Sequence, residues 1–140
     1  MEGEREQELF RAFMRCAHMV HHRKQRYPGQ GRLLTLLLRD GSMTQRELQD
    51  RMDIRSASLS ELLEKMEQSG LISRERSDED RRTVDIALTD AGLNAAHEAQ
   101  RERAETAHQL FCVLSEAEQA QLAGLLEKLL AAWSGALQEE

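Results

Sequence analysis

The fold is decided by residues 43–92, whose sequence is MTQRELQDRMDIRSASLSELLEKMEQSGLISRERSDEDRRTVDIALTDAG. Thr44 and Glu47 form a capping box, which predicts that a helix starts here. A second helix is predicted to open near Ser56, and the alternating apolar pattern that follows predicts a hairpin within residues 72–88. The segment is therefore predicted to be a helix-turn-helix followed by a two-stranded hairpin.

The second predicted helix has one apolar stripe, and the rest of its surface is polar. The stripe consists of Leu59, Leu62, Leu63 and Met66. The residues off the stripe include Ser56, Ser58, Ser60, Glu61 and Lys65. The predicted strands, residues 72–76 and 83–88, flank a tip, SDEDRR, that is acidic and then basic. Such a helix suits the major groove of duplex DNA, and a thin loop with arginines can enter the minor groove.

The net charge opposes DNA binding in general. The chain carries a formal charge of −6, and residues 42–89 hold eight Lys and Arg against eleven Asp and Glu, which leaves −3. DNA binding would therefore need the cations concentrated on one face. It should also be sensitive to salt, because few phosphate contacts are available to offset general repulsion.

Outside this segment the chain is predicted to be helical, over residues 4–27, 32–39 and 90–110 and again after a capping box at Ser115. The last helix carries a wide apolar face made of Leu122, Leu125, Leu126, Leu129, Leu130, Trp133 and Leu137. A terminal helix with such a face needs a partner, and a twofold dimer is the commonest solution.

Composition excludes several classes of function. The 140 residues predict one compact domain, and the longest apolar run, residues 33–38, is too short to span a membrane. The acidic start MEGEREQE lacks the apolar core of a signal peptide, so we expect a cytoplasmic protein with no membrane partner. The sequence contains no nucleophile paired with a base and no glycine-rich phosphate loop. We therefore expect that the protein is not an enzyme and has no cofactor.

The order of these motifs resembles the MarR family of winged-helix transcriptional regulators. The resemblance covers essentially the whole chain, and its carriers are Gln30-x-Arg32-Leu33, Leu48 with Ile54, Leu62-Leu63-x-x-Met66, Gly70-Leu71-Ile72-x-Arg74, Asp80-Arg81-Arg82 and Leu88-Thr89-Asp90-x-Gly92. It implies a mainly α fold with a small β-hairpin wing. Residues 1–29 and 90–140 would form dimerisation helices around a winged helix-turn-helix at residues 30–89. The homodimer would repress transcription at a pseudo-palindromic operator in double-stranded DNA.

The resemblance also implies which residues bind DNA. The helix from Ser56 would lie in the major groove with Lys65 near phosphate, and Arg82 would enter the minor groove while Asp80 holds its side chain in a charge-assisted pair. The full set is Ser56, Ser58, Ser60, Glu61, Lys65, Arg81 and Arg82. Glu61 departs from the family pattern, since many relatives carry a basic residue there. It could accept a hydrogen bond from cytosine N4 or simply face away.

Members of the family commonly bind a small aromatic or anionic ligand between the dimerisation helices and the winged region, and this ligand releases the DNA. The corresponding residues here are Phe13, Met14, Ala17, His18, Leu33 and Leu37, for which plain core is the alternative.

Three other interpretations stay open. His18 and His22 have a spacing that suits a metal ion, but a basic HHRK segment facing solvent or phosphate is the interpretation we adopt, so no metal site is predicted. Cys16 could sense oxidants, or Cys16 and Cys112 are half-buried small hydrophobes. The winged helix could also bind a protein through its acidic surface instead of DNA.

Overall fold

The computed structural model describes residues 2–80 and 82–137. Its elements in chain order are α1 (Glu2–His21), α2 (Gly31–Asp40), β1 (Met43–Thr44), α3 (Gln45–Met52), α4 (Ser56–Gln68), β2 (Ile72–Arg76), β3 (Val84–Leu88), α5 (Asp90–Phe111) and α6 (Glu116–Leu137). This architecture confirms the predicted fold class, mainly α with a small β-hairpin wing.

The contacts form two compact units, which divide between Ala99 and Gln100 within α5, whereas the sequence predicted one compact domain. We call them the N-terminal unit and the C-terminal unit. The division of the chain into residues 1–29, 30–89 and 90–140 stays a prediction about function.

The core of the N-terminal unit draws side chains from α2, α3, α4, the sheet and the start of α5. Its buried members are Leu33, Leu34, Leu37, Met43, Leu48, Met52, Leu59, Leu63, Met66, Ile72, Ile86, Ala95, Ala96 and Ala99. Burial of each large side chain contributes about 1.5–3 kcal/mol, so this cluster fixes the helix-turn-helix against the sheet. The small side chains of the three alanines allow α5 to pack closely against the rest of this core.

Local hydrogen bonds hold the turn between α3 and α4. The Thr44 hydroxyl accepts a hydrogen bond from the backbone N–H of Glu47 at 3.1 Å, which confirms the predicted cap. Asp53 adopts a left-handed conformation, φ 51°, and the Gln49 amide donates to the Ile54 carbonyl. The Arg32 guanidinium of α2 donates to the Met52 carbonyl at 2.8 Å, so α2 satisfies the C-terminal end of α3.

The sheet has three strands in the order β1–β3–β2, whereas the sequence predicted two. β2 and β3 are antiparallel, with Ile72 opposite Leu88 and Arg76 opposite Val84. The additional strand β1 has only two residues and pairs with Ile86 and Asp85 of β3. A segment of two residues is too short to show the alternating pattern of a strand. Met43 and Thr44 become a strand only because the tertiary fold places them beside β3.

The first helix ends at His21 and not at residue 27. After Val20 the sequence HHRKQR offers no apolar residue at helical spacing, so nothing there is available for packing. A turn follows, in which the Tyr27 carbonyl accepts from the N–H groups of Gln30 and Gly31, both at 3.1 Å. The Tyr27 hydroxyl donates to the Glu98 carboxylate at 2.8 Å, which joins this linker to α5 and raises the pKa of the phenol.

The C-terminal unit starts its last helix with a reciprocal cap. The backbone N–H of Glu118 donates to the Ser115 hydroxyl at 3.2 Å, and the Ser115 N–H donates to the Glu118 carboxylate at 3.0 Å, which confirms the predicted capping box. Cys112 in this unit and Cys16 in α1 are both exposed, so the interpretation of half-buried hydrophobes is wrong. Within the described residues, no helix has the length and apolarity needed to cross a membrane.

Candidate nucleic-acid interface

The outward face of α4 is the first part of the candidate interface. Leu59, Leu63 and Met66 are buried along one side of this helix. Ser56, Ser58, Glu61 and Lys65 are exposed on the remaining surface. The helix therefore uses its apolar stripe for the core and leaves four of the predicted DNA-binding side chains in solvent.

Ser60 differs from the other predicted residues of this helix. It is only half-exposed, and its hydroxyl accepts a hydrogen bond from the Gln45 side-chain amide at 3.2 Å. Gln45 is the first residue of α3, so this contact links the two helices of the helix-turn-helix. The Ser60 hydroxyl therefore holds α3 against α4, unlike the other predicted residues of this helix, which are exposed.

The wing is the second part of the candidate interface. Its tip is closed by hydrogen bonds from the Ser77 N–H to the Thr83 carbonyl and from the Thr83 N–H to the Asp80 carbonyl, both 2.9 Å. Arg82 is exposed at this tip, and its guanidinium has no carboxylate partner among the described residues. Arg81, also predicted to bind DNA, lies outside the described residues.

Asp80 supports the wing in a way that the sequence did not predict. Its carboxylate was expected to hold the Arg82 side chain, but it accepts a hydrogen bond from the Arg82 backbone N–H at 3.0 Å. A carboxylate that caps its own turn is common for aspartate. The expected side-chain pair is therefore replaced by a backbone contact, which fixes the turn and leaves the guanidinium available.

An ion pair that the sequence analysis missed joins the wing to α4. The Arg74 guanidinium in β2 lies 2.9 Å from the Glu67 carboxylate near the end of α4. The hydrogen bond from Arg74 lowers the pKa of Glu67, and the same contact raises the pKa of Arg74. The only signal in the sequence is that opposite charges flank the Ser69-Gly70 turn.

The base of the wing is closed by contacts around that same turn. Gly70, with φ +77°, ends α4 while the Leu71 N–H donates to the Met66 carbonyl at 2.9 Å. The Thr89 hydroxyl donates to the Gly70 carbonyl at 2.5 Å and accepts from the Gly92 N–H at 3.0 Å. A Cβ atom on Gly92 would lie 1.8 Å from the Leu71 carbonyl oxygen, so only glycine fits there.

Two exposed acidic side chains face each other across the strands of the wing. Glu75 and Asp85 are directly opposite each other in the β2–β3 register, and both are exposed. Like charges in this position repel each other. The exposed cations of this unit include Arg46, Arg55, Lys65, Arg76 and Arg82, and exposed acidic side chains lie among them.

The predicted ligand residues do not all lie together. Phe13, Met14, Ala17 and His18 line an open groove of about 800 Å³ along α1. Leu33 and Leu37, by contrast, are core residues with exposed fractions of 0 % and 2 %, and they do not line this groove. They belong to the apolar side of α2 that packs on the helix-turn-helix, which a helical spacing alone could not distinguish from a pocket wall.

Three histidines lie at the end of this groove. The ring centroids of His18 and His22 are 4.1 Å apart, and His21 meets His22 edge to face at 5.2 Å. All three side chains are exposed. Across residues 2–80 and 82–137, no group of three His, Cys, Asp or Glu side chains is arranged to hold a metal ion.

Large apolar side chains are exposed in both units. In α1 they include Leu9, Phe10 and Met19, which are 65–69 % exposed. In α6 they are Leu125, Leu129, Leu130 and Trp133, of which Leu130 is 62 % exposed. Exposed apolar surface of this extent marks an interaction site.

Comparison with known proteins gives consistent matches. Residues 27–84 match the model of the MarR family. The repressor MdtR of Bacillus subtilis is 30 % identical over 102 residues, which are 73 % of this chain and 66 % of MdtR, slightly less than two thirds of its length.

Two solved structures extend the comparison to the fold. A complex of MepR from S. aureus with DNA is 26 % identical and superposes with a TM-score of 0.77 over 91 % of this chain and 97 % of MepR. The YusO protein of Bacillus subtilis is 30 % identical, with a TM-score of 0.54 over 75 % of this chain and 74 % of YusO.

Proposed function

Because this chain belongs to the MarR family of transcriptional regulators, we propose that it is a homodimeric repressor that binds a specific DNA operator and is released by a small ligand. The observation that carries the proposal is that one unit exposes both the polar face of α4 and the guanidinium of Arg82. The similarity to MepR, which was solved in complex with DNA, supports it.

The two exposed features suit the two grooves of a duplex. The N-terminal half of α4, with Ser56 and Ser58, is proposed to lie in the major groove with Lys65 near a phosphate. Arg82 is proposed to enter the minor groove, where the negative potential attracts a permanently charged side chain. Arg81 is proposed as a second basic contact at the tip on the strength of the sequence alone.

The dimer is proposed to form through the terminal helices. Both α1 and α6 expose large apolar side chains, and a second copy of the chain would cover them. A twofold dimer presents two copies of α4, which suits a pseudo-palindromic operator with half-sites about one helical turn apart.

The groove along α1 is the proposed site of the ligand. Its lining combines apolar side chains such as Phe13 and Met14 with the imidazole of His18, which suits a small aromatic or anionic molecule. The ligand would release DNA if it bound more tightly to a dimer geometry that does not match the operator.

Selection from fragmented genomic DNA tests the proposal. The purified protein is expected to enrich a small set of fragments that share an inverted repeat. An Arg82→Ala variant at the same concentration should enrich the same fragments more weakly, because the α4 contacts remain. Fragments enriched only in proportion to their abundance would contradict sequence-specific binding. They would favour a winged helix that binds a protein through its acidic surface.

A further inference from the structure

Glu61 occupies the centre of the outward face of α4. It is the sixth residue of this helix, and the residues that share its side are Ala57, Glu64 and Gln68. At 3.6 residues per turn, this side lies about half a turn from the buried Leu59, Leu63 and Met66. Glu61 is therefore directed away from the core and lies on the exposed face of α4 that carries the other candidate DNA-binding side chains.

The Glu61 carboxylate has no partner among residues 2–80 and 82–137. Some other carboxylates of this unit have partners, since Glu67 pairs with Arg74, Asp40 pairs with Arg51, and Asp80 accepts from a backbone N–H. Glu61, in contrast, has neither a hydrogen bond nor an ion pair with any described residue, and Lys65 one turn later is not paired with it. All of its acceptor positions are available to a bound molecule.

A carboxylate in the major groove needs a hydrogen-bond donor, because phosphates surround it and burial of an unpaired charge is costly. The base edges in that groove offer donors only at cytosine N4 and adenine N6. Adenine also presents the acceptor N7 beside its donor, and guanine and thymine present only acceptors there. Cytosine is therefore the base that such a carboxylate prefers.

We propose that Glu61 is a specificity-determining residue that requires a cytosine in each half-site, with its carboxylate accepting a hydrogen bond from cytosine N4. This inference rests on the proposed function, in which α4 enters the major groove. It adds a base preference that a polar helix face alone does not specify.

The inference predicts a defined pattern of base preference. Replacement of the cytosine by thymine places O4, an acceptor, against the carboxylate. Wild-type affinity is expected to fall by about 5- to 150-fold per half-site, the usual range for a lost base contact. For Glu61→Ala the same base change should alter affinity less than about twofold, because no carboxylate remains to be left unpaired.

The experiment is selection from a pool of duplexes whose randomised core spans about two helical turns. The proteins are the wild type, Glu61→Gln, Glu61→Ala and the control Asp50→Asn. The control removes one exposed acidic charge from α3 and leaves α4 unchanged. Each variant is first checked for native helix content by circular dichroism.

The wild type and Asp50→Asn are expected to select the same site, with cytosine at one fixed position of each half-site. Glu61→Gln should prefer adenine there, because an amide pairs with adenine N6 and N7. Glu61→Ala should lose preference at that position and keep the rest of the site. A wild-type site without such a cytosine, or one unchanged in both Glu61 variants, would refute the role of Glu61 but leave the proposed function intact. Selection of no site by the wild type would overturn both.

Discussion

At the scale of single residues, the wing concentrates its contribution in Arg82. Asp80 fixes the tip through the backbone N–H of Arg82, so the turn is formed without use of the guanidinium. A side chain that is not needed for the turn can be removed with little structural consequence, which makes Arg82 a clean site for a binding test.

We predict that Arg82→Ala weakens binding to the selected operator by about 1–3 kcal/mol, since a minor-groove contact is lost while the fold is kept. The measurement is fluorescence anisotropy of a labelled duplex at fixed salt. Arg5→Ala, which removes one exposed cation from α1, serves as the control and should change affinity by less. Equal affinity of wild type and Arg82→Ala would refute the assignment of the wing tip.

Gly92 is the residue that packing constrains most tightly. A Cβ atom there would overlap the Leu71 carbonyl, a backbone atom that cannot rotate away. We predict that Gly92→Ala lowers the free energy of unfolding by about 1–3 kcal/mol or more. Urea denaturation at fixed protein concentration measures it. Gly3→Ala is the control, because its Cβ would meet nothing within 4 Å in α1. Similar stability of both variants would contradict the close approach.

At the scale of elements, the order and chemistry of the helix-turn-helix could be predicted because local signals were strong. Thr44 and Ser115 form the caps that their sequence context predicts, and the stripe from Leu59 to Met66 is the one that is buried. Strand β1 could not be predicted, because its two residues depend on β3. Nor could the sequence distinguish Leu33 and Leu37 as core, since a pocket wall and a core have the same helical spacing.

The sequence predicted which residues form the candidate site but not all of the contacts that they make. The exposed residues of α4 and the arginine at the wing tip follow from the motifs. The contacts of Ser60 with Gln45 and of Glu67 with Arg74 do not, because each joins residues that only the tertiary fold brings together.

The connection between α4 and β2 should depend on pH through the Glu67–Arg74 pair. The pKa of Glu67 is lowered by Arg74, so its ionised form stabilises the folded state. This stabilisation is fully present above the ordinary carboxyl pKa of 4.5 and is lost as the pH falls through the lowered pKa.

We therefore predict that Glu67→Gln is less stable than the wild type at neutral pH and that the difference shrinks in acid. Urea midpoints of both proteins from pH 7 down to pH 3 measure it. Glu8→Gln, an exposed glutamate in the interior of α1, is the control and should show a smaller difference at neutral pH. A difference between wild type and Glu67→Gln that is constant with pH would contradict the ion pair.

At the scale of the whole molecule, the proposed DNA binding requires the dimer. Exposed apolar side chains in α1 and α6 leave each copy with surface that water solvates poorly, and the net charge of −6 opposes DNA binding. Two copies bound together double the DNA contacts without an increase in cations per chain.

We predict that a chain ending before Ser115 is monomeric, because it lacks the apolar residues of α6. Sedimentation velocity compares it with the full chain. Glu127→Gln, a polar change in the same helix, is the control and should remain dimeric. A truncated chain that still sediments as a dimer would show that α6 is not required for association.

The central claim is that this acidic winged helix binds DNA in a sequence-specific way. The most direct test is fluorescence anisotropy of the wild type with the duplex selected from genomic DNA and with a scrambled duplex of equal length, across a salt series. The account predicts tighter binding to the selected duplex at every salt concentration, with affinity for both duplexes falling as salt rises. Equal affinity for the two duplexes throughout the series would contradict it.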